Sequence, residues 1–118
     1  MTKATDDLDR LYIVVRSDLA PGPQLAQSVH AAFQFSVKYP EITRRWHLDS
    51  NFLVVLSVPD EPALIELCRQ ARTHGIGYER VSEPDYGNEF TAMALEPGDA
   101  ARRLCARFPL ALKEKVVL

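Results

Sequence analysis

Five consecutive apolar residues, Leu11-Tyr12-Ile13-Val14-Val15, constrain the fold of this chain more than any other stretch. Aromatic and β-branched side chains pointing to both sides of an extended backbone predict a strand that is covered on both faces. A second run of the same character, FLVVLSV, spans Phe52–Val58. The residues between them carry helical spacing, and strands separated by helices imply right-handed parallel crossovers. Tyr78–Val81 and Phe90–Leu95 read as two further strands, too close in sequence for a helical crossover, so they are expected to run antiparallel. Pro109–Leu112 is a candidate short edge strand. The expected fold is a single α/β domain with a mixed four- to five-stranded sheet and helices on both faces.

The helices are punctuated by turn chemistry. Ser17–Pro23 carries two prolines and a glycine and cannot extend the first strand. Pro23 suits the first helical position, where its missing N–H costs nothing. Ala26, Val29, Phe33 and Val37 then recur at helical spacing and predict a buried stripe. Pro40 restricts Tyr39 and should end that helix. Glu41–Asn51 reads as a connector with a helical turn. Asp60 is a candidate N-cap for a helix whose inner face is Leu64, Cys68 and Ala71, stopped by Gly75. Asp99 can cap a last helix from Ala100 to about Arg107. Residues 1–9 are polar and read as a loose tail, leaving 10–118 as the domain.

Composition narrows the function classes. The chain has 118 residues, 47% hydrophobic and 25% charged, with a formal charge of −2. Lys3 against Asp6, Asp7 and Asp9 already sums to −2, so the remaining 109 residues are neutral and a local basic patch is compatible with the whole. Cys68 and Cys105 are far apart, with no metal-ligand spacing around them. They read as buried thiols in a reducing cytoplasm rather than a disulfide framework. No apolar run approaches the ~18 residues of a membrane span, and the acidic start MTKATDDLDR lacks the apolar core of a signal peptide. GxGxxG, P-loop, GxSxG and CxxC signatures are absent. No metal or cofactor is expected.

In sheets of this kind ligands gather at loops beyond the carboxyl ends of the strands. Ser17–Pro23 leads into a helix bearing Gln27 and His30. Ser82–Glu89 carries Glu83 and Asp85, and Thr91 follows just inside the next strand. If the two loops meet, His30, Asp85 and Thr91 form one constellation beside the positive end of the first helix. Taken singly, each of these residues also has an ordinary structural use: a helix-edge imidazole, a surface amide, a turn carboxylate, a strand hydroxyl.

The stretch LYIVVRSDLAPGPQLAQSVHAAF resembles the first strand, loop and helix of the type 2 peptidyl-tRNA hydrolases. That family shows Arg-x-Asp-Leu after the strand and Ala-Gln-x-x-His-Ala-Ala on the helix, matched here by Arg16, Asp18, Leu19, Ala26, Gln27, His30, Ala31 and Ala32. Asp85-Tyr86-Gly87 is similar to its Asp-Ala-Gly, TAMALEP to its last strand with Thr91 in register, and PLALK to its C-terminal strand. The resemblance implies water attack on the ester that joins a peptide to tRNA, without a metal or other cofactor. By it, His30 and Asp85 position or deprotonate the water, Thr91 holds the site by hydrogen bonding, and Asp18 and Gln27 bind substrate. It also implies peptidyl-tRNA as partner, a possible homodimer and a cytoplasmic setting, with no membrane. The lysines of the family's glycine-rich loop are missing, since Pro21-Gly22-Pro23 stands there. A non-catalytic module binding RNA or protein, and a hydrolase of another small ester or amide, remain open alternatives.

Overall fold

A computed structural model describes residues 9–113. The tail expected over 1–9 falls, apart from Asp9, outside the described residues. The elements run β1 (Arg10–Arg16), α1 (Pro21–Lys38), α2 (Pro40–Leu48), β2 (Phe52–Val58), α3 (Glu61–Thr73), β3 (Tyr78–Glu83), a single 3-10 turn (Pro84–Tyr86), β4 (Glu89–Leu95) and α4 (Asp99–Cys105). The sheet order is β2-β1-β4-β3. β1 pairs parallel with β2, and β4 is antiparallel to both β1 and β3. The fold is the expected α/β domain with a mixed sheet. The fifth strand shrinks to one bridge, Leu56 to Leu110, flanked by the bonds Ser57 N–H to Pro109 O and Ala111 N–H to Val55 O.

Alternation along the central strands sorts the core into two layers. Tyr12, Val14, Met93 and Leu95 face α3 and α4, where they meet Leu64, Leu67, Cys68, Ala71, Ala101 and Cys105. Leu11, Ile13, Val15, Ala92 and Ala94 face the other way, onto Ala31 and Phe35 of α1 and Ile42 and Trp46 of α2. Leu11–Val15 is at most 6% exposed, as a two-sided apolar strand requires. Burial pushes the Cys68 thiol up and the Cys105 thiol up to about 12, so both stay protonated and serve as packing.

Helix ends follow local chemistry. Asp60 caps α3 by accepting from the Ala63 N–H at 3.0 Å. Gly75, at φ +67°, closes it: Ile76 N–H bonds to Ala71 O and Gly75 N–H to Arg72 O. This double closure needs a left-handed residue at that point, which glycine adopts without strain. Pro40 ends α1 as expected. It also starts α2, a nine-residue helix where a connector with one turn was expected. The indole N–H of Trp46 reaches Phe52 O at 2.9 Å and ties α2 to the start of β2.

One expectation is overturned. Ala26, Val29, Phe33 and Val37 are not the buried stripe of α1. They face solvent, with Phe33 68% and Val37 80% exposed. The face turned inward is Gln24, Gln27, Ser28, Ala31 and Phe35. Three polar side chains are buried there, each with at least one hydrogen-bond partner that offsets part of the desolvation cost, although the buried Gln24 Oε1 has none among the described residues. Gln24 Nε2 donates to Leu19 O at 2.6 Å, and Ser28 Oγ donates to Gln24 O at 2.7 Å.

Candidate active site

The third inward polar residue of α1 is Gln27. Its buried amide lies over the sheet where β3 ends and β4 begins. Gln27 Oε1 accepts from Thr91 Oγ1 at 2.6 Å, and its Nε2 donates to Glu83 Oε2 at 3.0 Å. Thr91 is fully buried and Gln27 5% exposed. A hydroxyl donor on one side and a carboxylate on the other fix which end of the amide is oxygen. The other oxygen of Glu83 accepts from the Asp85 N–H at 3.3 Å. The Gln27 bond above all, then the Asp85 N–H, hold the Glu83 carboxyl below its ordinary value, and the neighbouring His30 acts in the same direction. Glu83 is therefore an ionised hub to which Gln27, Asp85 and His30 are all coupled.

His30 lies on α1 one turn beyond Gln27 and is exposed. Asp85 is exposed on the 3-10 turn. The turn is closed by Gly87 at φ +65° and Asn88 at φ +63°, whose N–H bonds back to Glu83 O. The two predicted loops thus meet at one end of the sheet. Gln27, Thr91 and Asp85 join through Glu83, and His30 stands at its edge.

Asp18 belongs to a neighbouring cluster. Arg16, the last residue of β1, donates through Nε and Nη2 to both Asp18 oxygens, at 3.0 and 2.9 Å. Its Nη1 reaches Glu89 Oε1 at 2.9 Å and Phe90 O at 3.0 Å. The hydrogen bond from Arg16 holds the Asp18 carboxyl below its ordinary value, and the same bond drives the guanidinium up. Both oxygens of Asp18 accept from Arg16, which in turn ties the β1 exit to the start of β4, and the Asp18 side chain stays 41% exposed.

Sequence reading placed Glu83 among the loop polar groups and gave it no role, and it missed Glu89. The available signal was position: Glu83 stands at the carboxyl end of β3, two residues before Asp85. The end of the sheet carries at least five carboxylates, Asp18, Glu61, Glu83, Asp85 and Glu89, against Arg16 and His30. An anionic ligand gains little in that surround. Among the described residues no group of three or more His, Cys, Asp or Glu is placed to hold a metal ion. No helix among them is long and apolar enough to cross a membrane.

Comparison with known proteins bears on this arrangement. A solved structure of an Agrobacterium protein of unknown function superposes with a TM-score of 0.63, covering 87% of this chain and 97% of that one at 16% identity. That likeness concerns the fold alone. Two curated relatives, both named peptidyl-tRNA hydrolase 2, mitochondrial, come from Bos taurus and Mus musculus. Each is 34% identical over 73 residues, spanning 57% of this chain and 41% and 40% of their own lengths. The chain thus matches about two fifths of those proteins. The family description Peptidyl-tRNA hydrolase PTH2 matches residues 10–103, which takes in β1 through most of α4 and every residue of the Gln27–Glu83 network. With that extent of match, and the sheet order and site geometry described above, the chain belongs to the PTH2 peptidyl-tRNA hydrolase family.

Proposed function

We propose that this protein hydrolyses the ester joining a peptide to the terminal ribose of tRNA, with water as the attacking group. The observation that carries the reading is the Thr91–Gln27–Glu83 chain, which fixes the Glu83 carboxylate by hydrogen bonding to α1, the helix that carries His30 one turn further on. In this reading His30 takes the proton from the attacking water, and Glu83 stabilises the imidazolium. Asp85, exposed on the adjoining turn, orients the water from the other side. Thr91 is fully buried and spends its proton on Gln27, so it is a positioning residue. Gln27 in turn holds Glu83.

The test is release of peptide from a model peptidyl-tRNA. His30→Ala and Asp85→Ala should each slow release by ~10²–10⁴-fold, the usual worth of a positioned acid or base. Tight tRNA binding without release by the wild type would instead establish a non-catalytic RNA-binding member of the fold. Release from small esters but not from peptidyl-tRNA would establish the third alternative.

The same reading includes a homodimer. Its support is the open apolar face of α1: Leu25, Val29, Phe33 and Val37, continued by Leu53 and Leu112, are each at least 42% exposed. Such a surface is on the order of several hundred Å², the range in which an open patch marks an interface. A groove of about 240 Å³ runs beside that ridge, between α1 and Leu53. A ridge next to a groove on one face is self-complementary across a two-fold axis. A cytoplasmic setting is supported by two reduced thiols buried in the core.

A further inference from the structure

The end of the sheet that holds His30 is rich in carboxylates, and the loop into α1 has no lysine or arginine. A tRNA bound there by its 3′ end must have its phosphates neutralised elsewhere. The cations of this chain are not evenly spread. One open groove, of about 470 Å³, lies at the edge of β3 and is lined by Lys38, Arg72 and Arg80, with Glu79 the one acidic residue in its lining. A second, of about 390 Å³, lies between the ends of α3 and α4. It is lined by Arg69, Arg103 and Arg107, with His74 and no carboxylate in its lining. The last two turns of α3 separate the grooves, contributing Arg72 to one and Arg69 to the other.

Several of these charges are partly committed. Glu79 pairs with Lys38 at 3.3 Å and Glu66 with Arg69 at 2.5 Å. Four remain without an ion pair among the described residues. Arg72 donates to the Tyr78 hydroxyl at 3.0 Å, and Arg80 lies 4.3 Å over the Phe90 ring. Arg103 and Arg107 are exposed. The dipole of α3 favours a cation in its last turn. It does not account for six cations drawn from α1, α3, β3 and the α4 end in a protein of net charge −2.

We propose that these two grooves form a continuous cationic track that grips the phosphodiester backbone of an RNA, the body of the tRNA whose 3′ end lies at His30. Arg80 is three residues before Glu83 on β3, about 10 Å along the strand. Its side chain lies over Phe90 on the α3 face while Glu83 turns to Gln27 of α1, so the track reaches the site around the edge strand β3. From that edge it runs onto α3 and α4. The molecule's longest extent is 45 Å, a length that about 13 base pairs of duplex span at 3.4 Å per pair. One RNA arm can therefore touch the site and the whole track. Arginine suits the task, since its planar fork matches phosphate oxygens. The two tyrosines of the first groove are engaged within the protein, Tyr78 by Arg72 and Tyr39 by Phe35, and contacts to phosphate carry no sequence information, so the grip is independent of sequence.

The inference rests on the peptidyl-tRNA reading, and its test separates the two. Deacylated tRNA is titrated against the full chain by fluorescence anisotropy over a range of salt. Wild type should bind with a strong salt dependence. The double charge reversals Arg72→Glu/Arg80→Glu and Arg103→Glu/Arg107→Glu should each weaken binding at least tenfold and lower the log–log salt slope by about two. These side chains are exposed, and circular dichroism confirms that the variants remain folded. The same charge change on α2, Arg44→Glu/Arg45→Glu, should alter affinity less than threefold. Equal losses from all three pairs would reduce the effect to net charge and overturn the track. Binding unchanged in both track variants would also overturn it, as would a wild type that takes up orthophosphate but not tRNA. A wild type that binds tRNA through the track yet releases no peptide would leave the track standing and remove the hydrolase reading.

Discussion

At the scale of single residues, the site depends on the orientation of one amide. Gln27 is buried between a hydroxyl and a carboxylate, and each of its ends has a single partner. Thr91→Val keeps the shape and removes the proton that Gln27 Oε1 accepts. It should cost about 1–3 kcal/mol, the penalty of a buried polar group left unpaired, read as a shift in the urea midpoint at unchanged slope. Peptide release should slow with it, while Thr91→Ser should retain most of the activity. Glu83 yields a pH prediction. Its carboxyl is held below 4.5 chiefly by the Gln27 bond, so its contribution is present above that value and is lost as the pH falls through the lower folded-state value. Glu83→Gln should therefore melt lower than wild type near neutral pH, and the gap should close in the acid range. A gap that stays constant with pH would mean that the Glu83 charge does not support the network. Gln27, His30, Asp85 and Thr91 were all readable as candidates from sequence. Glu83, which links them, was not singled out, because a carboxylate at a strand end looks like any other until its partners from α1 are seen.

At the scale of elements, α1 is the instructive case. Its apolar residues at 26, 29, 33 and 37 predict one inner face by periodicity alone, and the structure turns that face outward. Periodicity scores the cost of exposing apolar groups. It cannot count the hydrogen bonds that Leu19, Thr91 and Glu83 offer to the polar face, because those groups come from other elements. The orientation is testable by stability. Phe35→Ala should cost about 3–5 kcal/mol, as for a fully buried aromatic, whereas Phe33→Ser, measured on protein dilute enough to be monomeric, should stay within about 0.5 kcal/mol. Equal costs measured by thermal or urea unfolding would contradict the placement. The remaining elements were legible through local signals: Asp60 as a cap, Gly75 as a stop, Pro40 as a break. Only α2 was underread, since PEITRRWHL contains just three large apolar residues, of which Ile42 and Trp46 pack on the α1 side of the core while Leu48 stays exposed.

At the scale of the whole molecule, the exposed ridge of α1 and the charge distribution make separate statements. If the ridge closes a homodimer, sedimentation equilibrium should give twice the 13.3 kDa chain mass, and Val29→Glu/Phe33→Glu should give the monomer with its melting curve little changed. A monomeric wild type at all concentrations would end that reading. The chain by itself determined the architecture. Two runs apolar on both faces have to lie inside a sheet with helices on each side, and two strands too close for a crossover have to pair antiparallel. It also determined the kinds of group available for chemistry. Tertiary structure decided which face of α1 is buried, which carboxylate meets Gln27, and where the arginines of β3, α3 and α4 gather. Those outcomes depend on partners between 56 and 74 residues apart along the chain for the site's bonds. A local pattern carries no information about hydrogen bonds and charges contributed from that far away.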